Sequence, residues 1–218
     1  MQSVEIEVLI ITRITKDPEI RKAELIDAAE ELFRTRGYHQ TSVSDIVKNI
    51  GVAQGTFYYY FETKEDVLEA IISRMVILII NELEELVDNQ AISAEEKICQ
   101  IVQLFFDKIK NEESLLAVLF EEKQLHLMAK IENHAKKLAE PSLLKVFKQG
   151  QKEGTMNIPY PAAALDYFVT ILLPIIESYL EKPDETNPNV FAGKIFVGER
   201  LIETALGIEK GRLKFRRT

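Results

Sequence analysis

Residues 51–61 read GVAQGTFYYYF, with aromatic side chains at five consecutive positions, 57 to 61. Such a run suggests core, yet a single helix buries only one side of itself. At ~100° per residue, Phe57 and Phe61 stand one turn apart and share a face with Val52. Tyr59 then points almost directly away from that face, with Tyr58 and Tyr60 on its shoulders. The spacing therefore predicts two anchors and three outward phenols. Glycines at 51 and 55 and the charged ETKED at 62–66 bound the run on either side.

The residues before it, TSVSDIVKNIG (41–51), read as a short amphipathic helix. Thr41 or Ser42 serves as N-cap, Asp45 completes a capping box, and Val43, Ile46, Val47 and Ile50 form the packed side. Gly51 ends it, because the turn that follows needs a residue tolerant of positive φ. A capped short helix, a glycine turn and a second helix whose outer face is free make a helix-turn-helix, the arrangement that places a helix in the DNA major groove. The chemistry of the exposed face agrees. Tyr58, Tyr59 and Tyr60 offer rings for sugars and thymine methyls and hydroxyls for phosphates, and Gln54 suits a base edge, most naturally adenine. Thr56 reaches a phosphate or methyl, Gly55 permits close backbone approach, and Thr41, Ser42 and Lys64 complete the expected DNA-contacting set. Lys64 opens the next helix, where free N–H groups and the helix dipole favour phosphate.

The segment RKAELIDAAEELFRTRGYHQTSVSDIVKNIGVAQGTFYYYFETKEDVL (21–68) resembles the DNA-binding domain of the tetracycline-repressor (TetR) family of bacterial regulators. The landmarks are AA-x-x-LF at 28–33, Gly37-Tyr38, Thr41-Ser42-Val43, Asp45-Ile46, Gly51-Val52, Gly55-Thr56, Tyr58, Phe61 and Lys64. Val47 and Ile50 depart from the family's usual alanines, and Ala53 replaces a common serine or threonine, removing a possible cap from the second helix. The resemblance implies a repressor that binds a palindromic operator as a homodimer and is released by a small apolar or amphipathic effector. It also implies an all-α fold, with a DNA-binding domain at 13–64 and a helical effector-binding and dimerisation domain at 65–218. A DNA-bound adaptor without a small-molecule effector is the alternative on the same fold.

Charge is distributed in keeping with this division. The chain carries a formal net charge of −8, but residues 13–64 hold eight basic and eight acidic side chains and are neutral. Residues 65–207 carry 14 basic against 24 acidic groups, and 208–218 five against one. A polyanion-binding surface therefore belongs near the N-terminus or the tail. A single cysteine, Cys99, excludes an internal disulfide and fits a reduced, cytoplasmic setting. The apolar runs VILII (76–80) and YFVTILLPII (167–176) are too short to span a bilayer, and residues 1–12 lack signal-peptide character, reading as a flexible arm or an artefact of start-site choice.

The rest of the chain reads as helices from Thr63 through the 64–87 segment, at about 93–110, 112–123, 124–138 and 141–153, from an opening at Pro159 and Pro161 to about Leu180, and from about Val190 to Leu206. KPDETNPN (182–189) reads as a loop and the basic GRLKFRRT at the end as a solvated tail. The 162–180 helix is apolar nearly all round, and the last helix carries two apolar stripes: Phe191, Ile195, Gly198, Ile202 and Ala205, and separately Phe196, Val197 and Leu201. Two such helices fit a four-helix interface with a second copy. The first stripe, with Leu172 and Ile176, is the expected interface. Met75, Phe105, Phe106, Leu119, Phe120, Met128 and Tyr167 are candidates to line an effector pocket. His126 and His134, with Glu122 nearby, lack metal-ligand spacing. No metal, cofactor or catalytic motif is expected.

Overall fold

The computed structural model describes residues 17–111, 113–119, 125–180 and 189–215. Among these the chain is all-α, with no strand. The first three helices are α1 (Pro18–Arg36), α2 (Val43–Asn49) and α3 (Gln54–Tyr60). A long α4 (Lys64–Asp88) follows, then α5 (Ala94–Asn111), α6 (Glu113–Leu119), α7 (Leu125–Glu153), α8 (Pro161–Leu180) and α9 (Asn189–Leu206).

Local chemistry sets the N-terminal boundaries. Asp17 caps α1 by accepting the Glu19 N–H at 2.9 Å, with Pro18 inside the first turn. Ser42 caps α2 and Thr63 caps α4, each in a full capping box with Asp45 and Asp66. Gly51 sits at φ 67°, the left-handed turn between α2 and α3. Ala53 supplies no side-chain cap, so α3 begins with its first N–H groups unaided by a side chain.

Leu25, Ala29 and Phe33 of α1 close over Ile46, Phe57, Phe61 and Leu68, forming the core of the first three helices and the start of α4. The 25-residue α4 then runs on to pack against α5 and α7. At its far end a buried lysine, Lys97 of α5, donates to the Val87 carbonyl at 2.5 Å and to Gln149 Oε1 at 2.8 Å. It thereby satisfies a carbonyl that the C-terminus of α4 leaves open, and its charge faces the negative end of the helix dipole.

Two sequence expectations change. The helices expected at 124–138 and 141–153 are one helix, α7, running through Pro141. Pro141 is exposed, so the carbonyl one turn earlier that loses its hydrogen bond faces water instead of the core. Of the helix expected at 112–123, Glu113–Leu119 is helical and the remaining residues lie outside the described ones. The tail is docked as far as residue 215. Gly211 N–H and Leu213 N–H donate to the buried Glu203 carboxylate at 2.8–3.0 Å, and Phe215 N–H donates to Glu199 at 2.8 Å. Leu213 and Phe215 are buried, and Arg212 pairs with Glu95 of α5 at 2.7 Å. Two acidic residues on the inner face of α9 thus capture the strand of backbone that net charge alone assigned to solvent. Residues 1–12, Phe120, Glu122, most of the 182–189 loop and residues 216–218 lie outside the described residues.

Helix α8 is long and apolar enough, by length and composition, to cross a membrane. The count of contiguous apolar residues missed this, because Asp166 and Glu177 divide the run without shortening the helix. Here α8 packs against α7 and α9.

Candidate nucleic-acid interface and effector cavity

Phe57 is wholly buried and Phe61 nearly so, their rings 5.7 Å apart, while Tyr59 is 76% and Tyr58 54% exposed. Tyr60 is half-buried and meets Tyr59 edge-on at 4.8 Å. Gln54 and Gly55 are exposed and Thr56 partly so, giving one open face of amide, backbone and phenol. Ser42 is also exposed, but its hydroxyl is tied to Asp45 at 2.5 Å. That carboxyl is held below its ordinary pKa by the Ser42 hydroxyl first, then by the Ser42 N–H, with Arg36 and Lys48 adding through space.

Two members of the expected contact set have other work. Thr41 is 1% exposed, and its hydroxyl donates to the carbonyls of Gly37 (2.9 Å) and Leu32 (3.3 Å) at the end of α1. It closes the α1 terminus, where open carbonyls need donors, and presents nothing to a ligand. Lys64 folds its ammonium back onto the carbonyls of Tyr38 (2.7 Å) and Thr41 (2.9 Å) and lies 4.1 Å from the centre of the Tyr38 ring. Burial lowers its pKa, and one of its three donor hydrogens remains for a phosphate. Arg36 and Lys48 are exposed cations close enough to Asp45 to act on its carboxyl, and no motif around them marks them in the sequence.

A second feature lies along α4. Ile72, Met75, Val76 and Ile79 of α4 wall a cavity of about 160 Å³ with side chains of α5, α6, α7 and α8. Among the described residues its lining is almost entirely apolar, with Glu132 and Lys136 of α7 as its charged members. Met75, Phe105, Leu119 and Met128, expected from sequence, all line it. Phe106 does not; it packs with Tyr179 and Phe191 at ring distances of 6.0 and 6.4 Å. Tyr167 is 65% exposed on the outer side of α8. Phe168, one residue on, takes the inner place, because a one-residue step turns the helix by ~100°.

Most residues of the expected dimer stripe pack within the chain. Leu172 and Ile176 line the cavity, and Ile195 and Ile202 are core. Phe191 belongs to the aromatic cluster just described, and Ala205 is half-buried. Gly198 is buried where α9 crosses α8, an added Cβ lying 2.5 Å from Ile175 Cδ1. Among the described residues the open apolar face is the other stripe, Phe196, Val197 and Leu201, all about half exposed. Between α8 and α9 runs an apolar groove that includes Thr170, Pro174, Val197 and Leu201. Both stripes have helical spacing, and only the packing of α8 on α9 distinguishes inside from outside. Among the described residues no cluster of metal-ligating side chains occurs; His126 and His134 are exposed, while Glu122 lies outside that set.

Comparison with known proteins adds to this geometry. The profile of the family described as bacterial regulatory proteins, tetR family, matches residues 25–71, from α1 into α4. The fatty acid metabolism regulator protein of Bacillus subtilis (strain 168) is 37% identical over 95 residues, 44% of this chain and 48% of that protein. The chain spans about half the length of the curated relatives it matches. Solved structures extend the likeness. The fatty acid degradation regulator FadR of Bacillus halodurans superposes with a TM-score of 0.61 at 26% identity, covering 86% of this chain and 96% of that one. FadR of Bacillus subtilis, solved in complex with stearoyl-CoA, also gives a TM-score of 0.61 at 26% identity, covering 83% and 97%.

Proposed function

This chain belongs to the tetR family of bacterial regulatory proteins, and on that premise we propose that it is a ligand-responsive transcriptional repressor of the cytoplasm that carries out no catalysis. Residues 13–64 form the operator-binding unit and residues 65–218 the effector-binding and dimerisation unit. The observation that carries the reading is the continuity of α4. Its capped start follows the recognition helix by a few residues, and its middle turns are a wall of the apolar cavity.

In this reading α3 enters the major groove with Gln54, Gly55, Thr56, Tyr58, Tyr59 and Tyr60 toward the bases and sugars, and Ser42, Arg36, Lys48 and the remaining donor of Lys64 toward phosphates. A homodimer built on Phe196, Val197, Leu201 and the outer side of α8 sets two recognition helices ~34–36 Å apart, as a palindrome requires. An effector that fits the cavity of one state of α4 better than the other shifts the spacing. Its effect equals its differential affinity, typically ~1–3 kcal/mol or 5–150-fold.

The test is binding of the full chain to short duplexes selected from random sequence, with salt varied. A palindromic site should emerge whose affinity falls steeply with salt. Tyr59→Ala should weaken that site by about 1–3 kcal/mol, the scale of one base contact. The variant should keep its melting temperature, because Tyr59 supports no core. Selection of no palindrome, or unchanged affinity in Tyr59→Ala, overturns the assignment.

A further inference from the structure

The cavity beside α4 also specifies the chemistry of what fills it, within the ligand-responsive reading above. Its volume of about 160 Å³ is close to that of an engineered apolar cavity, roughly 150 Å³, that admits benzene. The apolar part of the ligand is therefore about one ring in size in this state. Among the described residues the walls offer that ring nothing but hydrocarbon and thioether, apart from Glu132 and Lys136, one helical turn apart on α7.

These two charged residues are not equivalent. Lys136 is engaged: its ammonium pairs with Asp166 of α8. Both are partly exposed, so this pair sits where the cavity meets solvent. The ammonium is held above its ordinary pKa first by the hydrogen bond to Asp166, and Glu140 and Glu132 add to the negative field around it. Glu132 has no hydrogen bond or ion pair of its own among the described residues. Three carboxylates thus surround one already-paired cation. An anionic head entering here would have to displace Asp166 and then lie beside Glu132 and Glu140. A cationic head at the edge of the cavity meets an available acceptor in the partly exposed Glu132, and a carboxylate beside hydrocarbon gains from such a partner.

We infer that the cavity binds a compact apolar amine, its ring among Ile72, Met75, Phe105 and Phe168 and its ammonium on the Glu132 carboxylate. The neighbouring Asp166 adds to the attraction, and Lys136, while paired, screens Glu132 only in part. This ligand class differs from the acyl-CoA bound in the structure of the Bacillus subtilis FadR, and the difference rests on this chain's own mouth charges.

The experiment uses the full-length protein and three probes with one common ring: 2-phenylethylamine, phenylacetate and 2-phenylethanol, measured by calorimetric titration at neutral pH. The amine should bind at least about tenfold tighter than the acid, as a charge-assisted hydrogen bond supplies. Glu132→Gln should remove that preference while leaving the alcohol unchanged. Lys136→Met, which frees Asp166 as a second acceptor, should tighten the amine further. Equal binding of all three probes, or a preference surviving in Glu132→Gln, overturns the head-group assignment and leaves the effector reading standing. Binding by none of the three at millimolar concentration overturns the assignment and the effector reading of the cavity together.

Discussion

At the scale of single residues, the side chains that set helix ends were the most legible and those that share a face the least. Ser42 and Asp45 form their capping box because a serine three positions ahead of a carboxylate closes two open N–H groups by local geometry alone. Thr41, its neighbour, could be placed only by the fold, since the carbonyls it serves belong to the end of α1. The same holds for Lys64, whose partners lie 23 and 26 residues away in sequence. The Asp45 box carries a pH dependence. Its folded pKa is depressed, so its contribution is present above the usual carboxylate range, near pH 4, and is lost as pH falls through the folded value. Asp45→Ala should lower the urea midpoint at pH 7, and the gap from the parent protein should close on acidification below that range. A gap that persists at low pH contradicts the role given to this carboxylate.

At the scale of helices, periodicity identified faces without saying what covers them. Helix α9 carries two apolar stripes, and the choice between them depends on α8. Because Gly198 has no Cβ, α8 approaches on its side, and Ile195 and Ile202 go inward with it. Phe196, Val197 and Leu201 are left outward. Substitutions separate the two roles. Leu201→Lys should convert a dimer to a monomer in light scattering and weaken operator binding with little change in monomer stability. Ile202→Ala should destabilise the fold by about 2–5 kcal/mol, the cost of a large core side chain reduced to alanine. The reverse pattern would return the interface to the first stripe. The C-terminal segment teaches the same lesson: its basic composition suggested solvent, but Glu199 and Glu203 face inward from α9 and hold its backbone.

At the scale of the whole molecule, α4 joins the recognition surface to the cavity over 25 residues, or about 38 Å of helix. Arg74 is its fastening to the DNA-binding helices, pairing with Asp27 at 2.6 Å and with Glu30 of α1. Met75, the next residue, lines the cavity. In the proposed repressor, a change in the cavity would reach α1 through these adjacent positions of one helix. Arg74 is 41% exposed, and exposed pairs contribute only about 0–1 kcal/mol to stability. Arg74→Ala should thus leave the melting temperature nearly unchanged. Effector and operator affinities, each measured alone, should also hold, while their mutual coupling falls by about 0.5–2 kcal/mol. Coupling equal to that of the parent protein would rule out this fastening.

The sequence by itself determined the helical class, the capped starts of α2 and α4, and the two-sided character of GVAQGTFYYYF. Each of these follows from interactions within a few residues along the chain, or from the pitch of one helix. Only the tertiary structure decided that Thr41 and Lys64 close backbone carbonyls, that Leu172 and Ile176 face a cavity, and that the second stripe of α9 is the free one. Those outcomes depend on which helix lies opposite, and a helical repeat records the angle of a side chain without recording its neighbour.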